Sequence, residues 1–158
     1  DVVLLEKGEI ACEQSSRNWG WCRQIGRDPR EIPLIRESLD LWRGMNRRIN
    51  ADTGFVQSGI VYLCETEAEL AAREKWYAQH AKALGSGPRI VSGAEASNLM
   101  PGSTRQWKGA LFTEADGRAE PFVAVPAMAA AARRKGAKIF TNCAVGVWRH
   151  RRAGCQPW

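Results

Sequence analysis

Val2-Val3-Leu4-Leu5-Glu6-Lys7-Gly8 is the stretch on which the fold turns. A continuous apolar run that ends in an acid and a glycine fits a strand buried on both faces of a parallel sheet. A parallel strand joins its neighbour through a crossover of about a dozen residues or more. Nothing precedes this one, so a piece of a longer protein is expected. Moving outward, Glu9 to Pro29 is polar, with Gly20, Gly26, Trp19 and Trp21, and reads as a loop with one short helix from about Ser16. Pro33 suits the first turn of a helix, where its missing N–H costs nothing. Ile35, Leu39, Trp42, Met45 and Ile49 then form one apolar stripe of a helix running to about Arg48.

Phe55 to Cys64 reads as a strand, with Gly59 as a bulge. Thr66 and Glu69 form a capping box, in which each side chain satisfies a free backbone donor of the other. The helix they open reaches about Leu84 and stops at Gly85-Ser86-Gly87-Pro88. Arg89 to Ser92 is a short strand, and Ser92 with Glu95 a second capping box. Pro101-Gly102 stops the helix that follows. Ala110 to Thr113 is a strand and Asp116-Gly117 a turn. Glu120 and Pro121 open an Ala-rich helix closed by Gly136, and Lys138 to Asn142 is the last strand. Val147 to Trp158 has no periodicity. Its abrupt Arg, Trp and Cys content reads as out-of-frame translation or as a disordered basic terminus.

The 158 residues are 44% hydrophobic and 25% charged, which describes a globular chain and argues against disorder. The Ala-rich run from Val123 to Ala132 is too short to span a membrane and ends in Arg133, Arg134 and Lys135. Half of the net charge of +6 comes from Arg149, Arg151 and Arg152 in the tail, and the body is close to balanced, so no nucleic-acid partner is expected. Cys12, Cys22, Cys64, Cys143 and Cys155 are odd in number and lack C-x-x-C spacing, which supports neither a disulfide framework nor a zinc site. They read as reduced, mostly buried small hydrophobes in a cytoplasmic protein, with no metal expected. His80 and His150 lie far apart in sequence.

Two groups of residues carry candidate chemistry. An acid at the end of the second strand of a dinucleotide-binding fold accepts hydrogen bonds from the adenosine ribose hydroxyls, and Glu6 stands in that position. An apolar run ending in Glu is also common without any such role. In Gln14-Ser15-Ser16-Arg17-Asn18-Trp19-Gly20-Trp21-Cys22-Arg23-Gln24, the hydroxyls, backbone N–H groups and Arg17 suit phosphate and ribitol oxygens. The same residues also read as a helix N-cap at Ser15 or Ser16 followed by a turn.

Taken together, Val-Val-Leu-Leu-Glu-Lys-Gly and Ser-Ser-Arg-Asn-Trp-Gly-Trp-Cys-Arg-Gln resemble the region after the phosphate loop in the D-amino-acid oxidase and sarcosine oxidase superfamily. Leu41-Trp42, Gly109-Ala110-Leu111-Phe112-Thr113, and Asp116-Gly117-Arg118-Ala119-Glu120-Pro121 with its Ala-rich helix extend the likeness to about residue 146. The resemblance implies an α/β chain: a partial Rossmann-like FAD-binding domain, its first strand and Gly-rich loop missing, with part of an α+β substrate domain. Residues 1–49 and 116–146 would belong to the FAD-binding domain and 50–115 to the substrate domain, with 147–158 an irregular basic tail.

By position, the resemblance implies that Glu6, with Lys7 beside it, holds the adenosine ribose of FAD. Ser15, Ser16, Arg17 and Asn18 would line the pyrophosphate and ribityl chain. Gly20 would let the backbone pass close to the flavin, Arg23 would face flavin or substrate, and Val145 would contact adenine through its backbone. The intact enzyme would oxidise the C–N bond of an amino acid or secondary amine, such as a D-amino acid or sarcosine, and pass electrons to an acceptor the sequence does not specify. The piece alone is expected to be inactive and prone to aggregate through its unpaired strand edge. Two other readings are a basic, non-enzymatic binding module and an NAD-dependent dehydrogenase fragment. The latter shares Glu6 but leaves the Ser-Ser-Arg-Asn segment unexplained.

Overall fold

Strand and helix alternate along most of the chain, and the pairing of the strands brings its two ends together. The computed structural model describes residues 1–85 and 87–146. Ser86 and the segment read as a tail, with His150 and Cys155, lie outside the described residues. The strands are β1 (Val3–Leu5), β2 (Trp21–Cys22), β3 (Ile60–Cys64), β4 (Arg89–Ser92), β5 (Gly109–Thr113), β6 (Gly117–Arg118) and β7 (Lys138–Phe140). The helices are α1 (Ile32–Ile49), α2 (Glu67–Leu84), α3 (Gly93–Leu99) and α4 (Pro121–Arg134), with 3₁₀ turns at Gln14–Ser16 and Pro29–Glu31.

The middle of the chain makes its own sheet. β5 lies between β3 and β4 and pairs antiparallel with both, Tyr62 opposite Leu111 and Val91 opposite Ala110. All of β5 is buried. Val91, Ala96, Ala110 and Phe112 form the core, with Val61, Leu63, Leu99 and Trp107 packed around them. Gly109 is required by close approach, since a Cβ there would stand 2.7 Å from the Val91 carbonyl oxygen and 2.9 Å from Leu70 of α2.

The other two pairs connect the first fifth of the chain to its last part. β1 runs parallel to β7, Leu4 opposite Ile139. β2 runs antiparallel to β6, Trp21 opposite Arg118 and Cys22 opposite Gly117. β1 departs from expectation, because Val2, Val3, Leu4 and Leu5 are 44–65% exposed. The strand has the apolar run of a central strand but, among the described residues, a single hydrogen-bonded neighbour, β7.

Several local expectations shift as well. The polar loop carries a 3₁₀ turn over Gln14–Ser16 rather than a helix beginning at Ser16. The strand expected over Phe55 to Cys64 is split by Gly59, whose φ of +73° turns the chain. Only Val56 bridges Arg118 before β3 begins. Thr66 and Glu69 form the complete capping box. Ser92 accepts from the Glu95 amide, but the Glu95 carboxylate turns to Arg89 at 2.5 Å, so the second box is half made. Of the four described cysteines only Cys64 is buried, Cys12 is exposed, and all are free thiols. Among the described residues no helix is long and apolar enough to cross a membrane.

The Thr66 cap can be tested directly. Thr66→Ala removes the acceptor for the Glu69 N–H, 3.2 Å away, and should lower unfolding stability by about 1 kcal/mol. An unchanged denaturant midpoint would show that the cap is not contributing.

Candidate functional site

The polar loop is shaped by its own side chains. Asn18 Nδ2 donates to the carbonyls of Ser15 (2.5 Å) and Gln14 (3.3 Å), and its Oδ1 accepts from the Gly20 N–H at 2.7 Å. These bonds fold the loop back on itself. Gly20 then has φ +69°, and a Cβ on it would stand 2.0 Å from the Ala119 carbonyl oxygen, so any side chain is excluded twice over. The Ala119 N–H closes the approach by donating to the Gly20 carbonyl at 2.8 Å.

After β2 the loop is held by a group that the sequence reading missed. Asp116, read there as half of a turn, is fully buried. Its Oδ2 accepts from the backbone N–H groups of Gln24 (3.0 Å) and Ile25 (3.3 Å), more than 90 residues away in sequence. Its own carbonyl accepts from the Gly59 N–H at 2.9 Å. Burial pushes the Asp116 carboxyl above the ordinary carboxylate value, against the opposing pull of the two amides. The other oxygen, Oδ1, is buried without a hydrogen-bond partner among the described residues.

Loop, α1 and α4 enclose a cavity of about 280 Å³. Ser15, Asn18, Gly20, Trp21 and Arg23 line it from the loop, Ile35, Leu39 and Trp42 from α1, and Ala124 and Val125 from α4. Trp42, expected in the core, is a half-buried wall residue stacked on Phe55 at 5.8 Å. Arg23 donates from Nη1 to the Ile25 carbonyl at 2.8 Å, and its guanidinium lies 5.5 Å from the Trp21 ring and 5.8 Å from the Tyr62 ring. Arg27, another wall residue, pairs with Glu31 at 2.8 Å through Nη2, while its Nε is buried with no partner. Cys22 also lines the cavity. Burial raises its thiol to about 11, which keeps it protonated and unreactive at neutral pH. The cavity is therefore apolar and aromatic in its walls and cationic at one side, with at least one buried donor unspent.

The residues singled out in the sequence separate into two places. Ser15, Asn18, Gly20 and Arg23 share the cavity. Ser16 and Arg17 do not line it: the Ser16 hydroxyl donates to the Glu13 carbonyl at 3.0 Å, and exposed Arg17 pairs with Glu13 at 3.6 Å. Glu6 lies at the carboxyl end of β1. Its amide donates to Phe140 (2.9 Å), its carbonyl accepts from Cys143 (2.8 Å), and Oε1 accepts from the Gly8 N–H at 2.7 Å. Lys7 is exposed beside it. The last strand, expected to reach Asn142, stops at Phe140, because Asn142 at φ 53° ends the extension. Val145 is 60% exposed. Arg27, Tyr62 and Asp116 were missed, since nothing local in the sequence marks an arginine, a tyrosine or an Asp-Gly pair as part of a site assembled from distant segments.

Against known proteins, the family described as FAD dependent oxidoreductase (DAO) matches residues 1–157. The chain belongs to this family. The match runs past Gly146, where the motifs stop, into the segment read as a tail. Mouse mitochondrial sarcosine dehydrogenase is 24% identical over 146 residues, covering 91% of this chain and 16% of the relative. The structure of L-amino acid deaminase from Proteus myxofaciens, in complex with anthranilate, superposes with a TM-score of 0.84 at 36% identity, over 92% of this chain and 33% of that one. Glycine oxidase from Geobacillus kaustophilus shares the fold, with a TM-score of 0.78 at 23% identity over 89% of this chain and 40% of that one. The chain thus spans well under half the length of these relatives. Its α/β architecture is that of a partial Rossmann-like FAD-binding fold.

The Asp116 carboxyl gives a pH test. Its folded-state pKa is raised, so between the unfolded and folded values the folded chain holds more protons. Stability must then fall as pH rises through that window. Asp116→Asn has no such proton. The stability difference, wild type minus variant, should therefore decline as pH climbs above the ordinary carboxylate value of about 3.9 and level off beyond the raised one. Parallel stability curves, from urea unfolding across that range, would show that burial leaves this group unperturbed.

Proposed function

We propose that this chain forms part of an FAD-dependent enzyme that oxidises the C–N bond of an amino acid, and that its loop cavity holds the cofactor next to the reacting bond. The observation that carries the proposal is the cavity. Residues picked out by the family motif, Ser15, Asn18, Gly20 and Arg23, line one wall opposite the aromatic and aliphatic face of α1. The donor chemistry suits the cofactor. Arg23 and Arg27 both line the space, and their guanidinium groups are donors suited to an anionic or carbonyl-rich group.

In this reading Ser15 and Asn18 bind the ribityl and pyrophosphate oxygens, with Ser16 and Arg17 at the rim. Gly20 lets the backbone come close to the ring system, and Trp21 and Trp42 exclude water from it. Arg23 faces the flavin or the substrate carboxylate. Glu6 accepts from the adenosine ribose through Oε2, since Oε1 is already bound to Gly8. Lys7 flanks that site and Val145 borders the adenine through its backbone. When bound, FAD would supply the two-electron sink for oxidation of the C–N bond to an imine, which water then hydrolyses. Residues 1–49 and 116–146 form the cofactor side and 50–115 the substrate side. In support, among the described residues β3, β4 and β5 pair with one another and with no other strand, whereas β1–β7 and β2–β6 join the two flanks. An amino acid is preferred over a secondary amine because the 36% identity is to a structure named as an L-amino acid deaminase.

The experiment is FAD titration and turnover in the enzyme that contains this chain. Glu6→Ala should weaken FAD affinity about tenfold or more, the loss of a charged acceptor being worth roughly 1.5–3 kcal/mol. Arg23→Ala should lower turnover while flavin stays bound. Turnover of sarcosine with none of L- or D-amino acids would reject the substrate assignment. Undiminished FAD affinity in Glu6→Ala would remove that residue from the site.

A further inference from the structure

We propose that Asp116 is a positioning residue for Arg23, its buried carboxyl fixing the peptide from which the Arg23 guanidinium hangs. Arg23 sits between two restraints on its main chain. On one side, Cys22 is paired to Gly117 in the β2–β6 ladder. On the other, Asp116 Oδ2 binds the amides of Gln24 and Ile25 at 3.0 and 3.3 Å. Ladder and clasp come from adjacent residues of one segment, Asp116 and Gly117, so they act as a unit.

The side chain is then fixed through Ile25, one of the two clasped residues. Arg23 Nη1 donates to the Ile25 carbonyl at 2.8 Å. The Ile25 amide that Asp116 holds and the carbonyl that Arg23 meets belong to one residue whose side chain is fully buried, which leaves little freedom for either to turn alone. Gly26 comes next with φ +69°. The point where a Cβ would lie on it is 2.8 Å from the Tyr62 hydroxyl and 3.1 Å from Arg23 Nη1. A glycine is thus needed for Tyr62 and Arg23 to share that space. The guanidinium is bounded by the Ile25 carbonyl and by the Trp21 and Tyr62 rings, with its remaining N–H groups left for the cavity. Asp116 does not line the cavity, and it acts on it only through Arg23. The positioning stands on this geometry without cofactor, while its consequence for turnover rests on the reading of Arg23 proposed above.

The test is nitrogen-15 NMR of the Arg23 side chain in the flavin-free form of the enzyme that contains this chain, for wild type, Asp116→Ala, Asp116→Asn and, as a remote destabilised control, Thr66→Ala. In Asp116→Ala the Arg23 Nε–H resonance should move to the solvent-exposed position, and hydrogen exchange at the Gln24 and Ile25 amides should accelerate about tenfold or more, as expected for loss of charge-assisted bonds. Asp116→Asn keeps an acceptor oxygen and should retain the wild-type resonance. Thr66→Ala should leave it unmoved despite lower stability. An Arg23 signal that stays put in Asp116→Ala, or moves equally in Thr66→Ala, overturns the proposal. Should Asp116→Ala not fold, Asp116→Ser, whose hydroxyl is too short to span both amides, is read by the same criteria. In the flavin-loaded parent, Asp116→Ala and Arg23→Ala should together lose no more kcat/KM than Arg23→Ala alone. Additive losses would show that Asp116 reaches the site by a route other than Arg23 and overturn the proposal. Unchanged turnover in Arg23→Ala with the NMR result intact would instead reject Arg23 at the reaction centre and leave its positioning by Asp116 standing.

Discussion

A buried carboxylate that accepts from two backbone amides joins the halves of this chain. Taking a charge out of water costs several kcal/mol, and a charged hydrogen bond returns about 1.5–3 kcal/mol. Asp116 therefore needs both of its amide bonds to remain ionised. Burial outweighs the two amides, the Gln24 side chain and the nearby Arg23 charge, so the carboxyl is pushed upward. The arrangement is close to balance and contributes little net stability. What it does supply is specificity of position: only one placement of residues 24 and 25 against residue 116 satisfies the geometry.

The rest of the site follows from that placement. With Gln24 and Ile25 held, β2 lies against β6, and Gly20 meets Ala119 at a distance no side chain permits. Pro121 and Ala124, just beyond Ala119, then bring the start of α4 over the loop, and α1 closes the other side. A cavity formed by segments so far apart in sequence is only as well defined as the links between them. Here the links are short backbone contacts and one carboxylate, and the flexible arginines are set last. Glu6 is fixed independently, by the bonds that lace the end of β1 to Phe140 and Cys143.

Much of this architecture was legible in the sequence because it is local. The stripe from Ile35 to Ile49, the Thr66–Glu69 box, Pro121 at a helix start and Gly136 after one depend on residues within a turn of each other, and each is found. The 3₁₀ turn at Ser15 and the half-made box at Ser92 were misjudged because a competing partner intervenes. Asn18 folds the loop too tightly for a helix, and Arg89 claims the Glu95 carboxylate. The family motif led to Ser15, Asn18, Gly20 and Arg23. It could not separate them from Ser16 and Arg17, whose side chains turn to Glu13, because adjacent residues in a tight turn point in different directions.

The β1–β7 pair shows why pattern and burial must be read separately. Val2 to Leu5 has the composition of a strand covered on both faces, yet here its residues are half exposed. Three paired residues in two strands make a weak unit by themselves. The pair is nevertheless extended past the ladder by the Glu6 N–H to Phe140, the Cys143 N–H to Glu6, the Asn142 backbone N–H to the Gly8 carbonyl and the Asn142 side-chain Nδ2 to the Glu9 carboxylate. Those bonds gather at the carboxyl end of the strands, where open α/β sheets place their ligands. The apolar composition answers to whatever covers the strand faces, while the polar lacing answers to the geometry around Glu6. The two requirements fall on neighbouring residues of one short segment, and the segment meets the second of them from within the described residues.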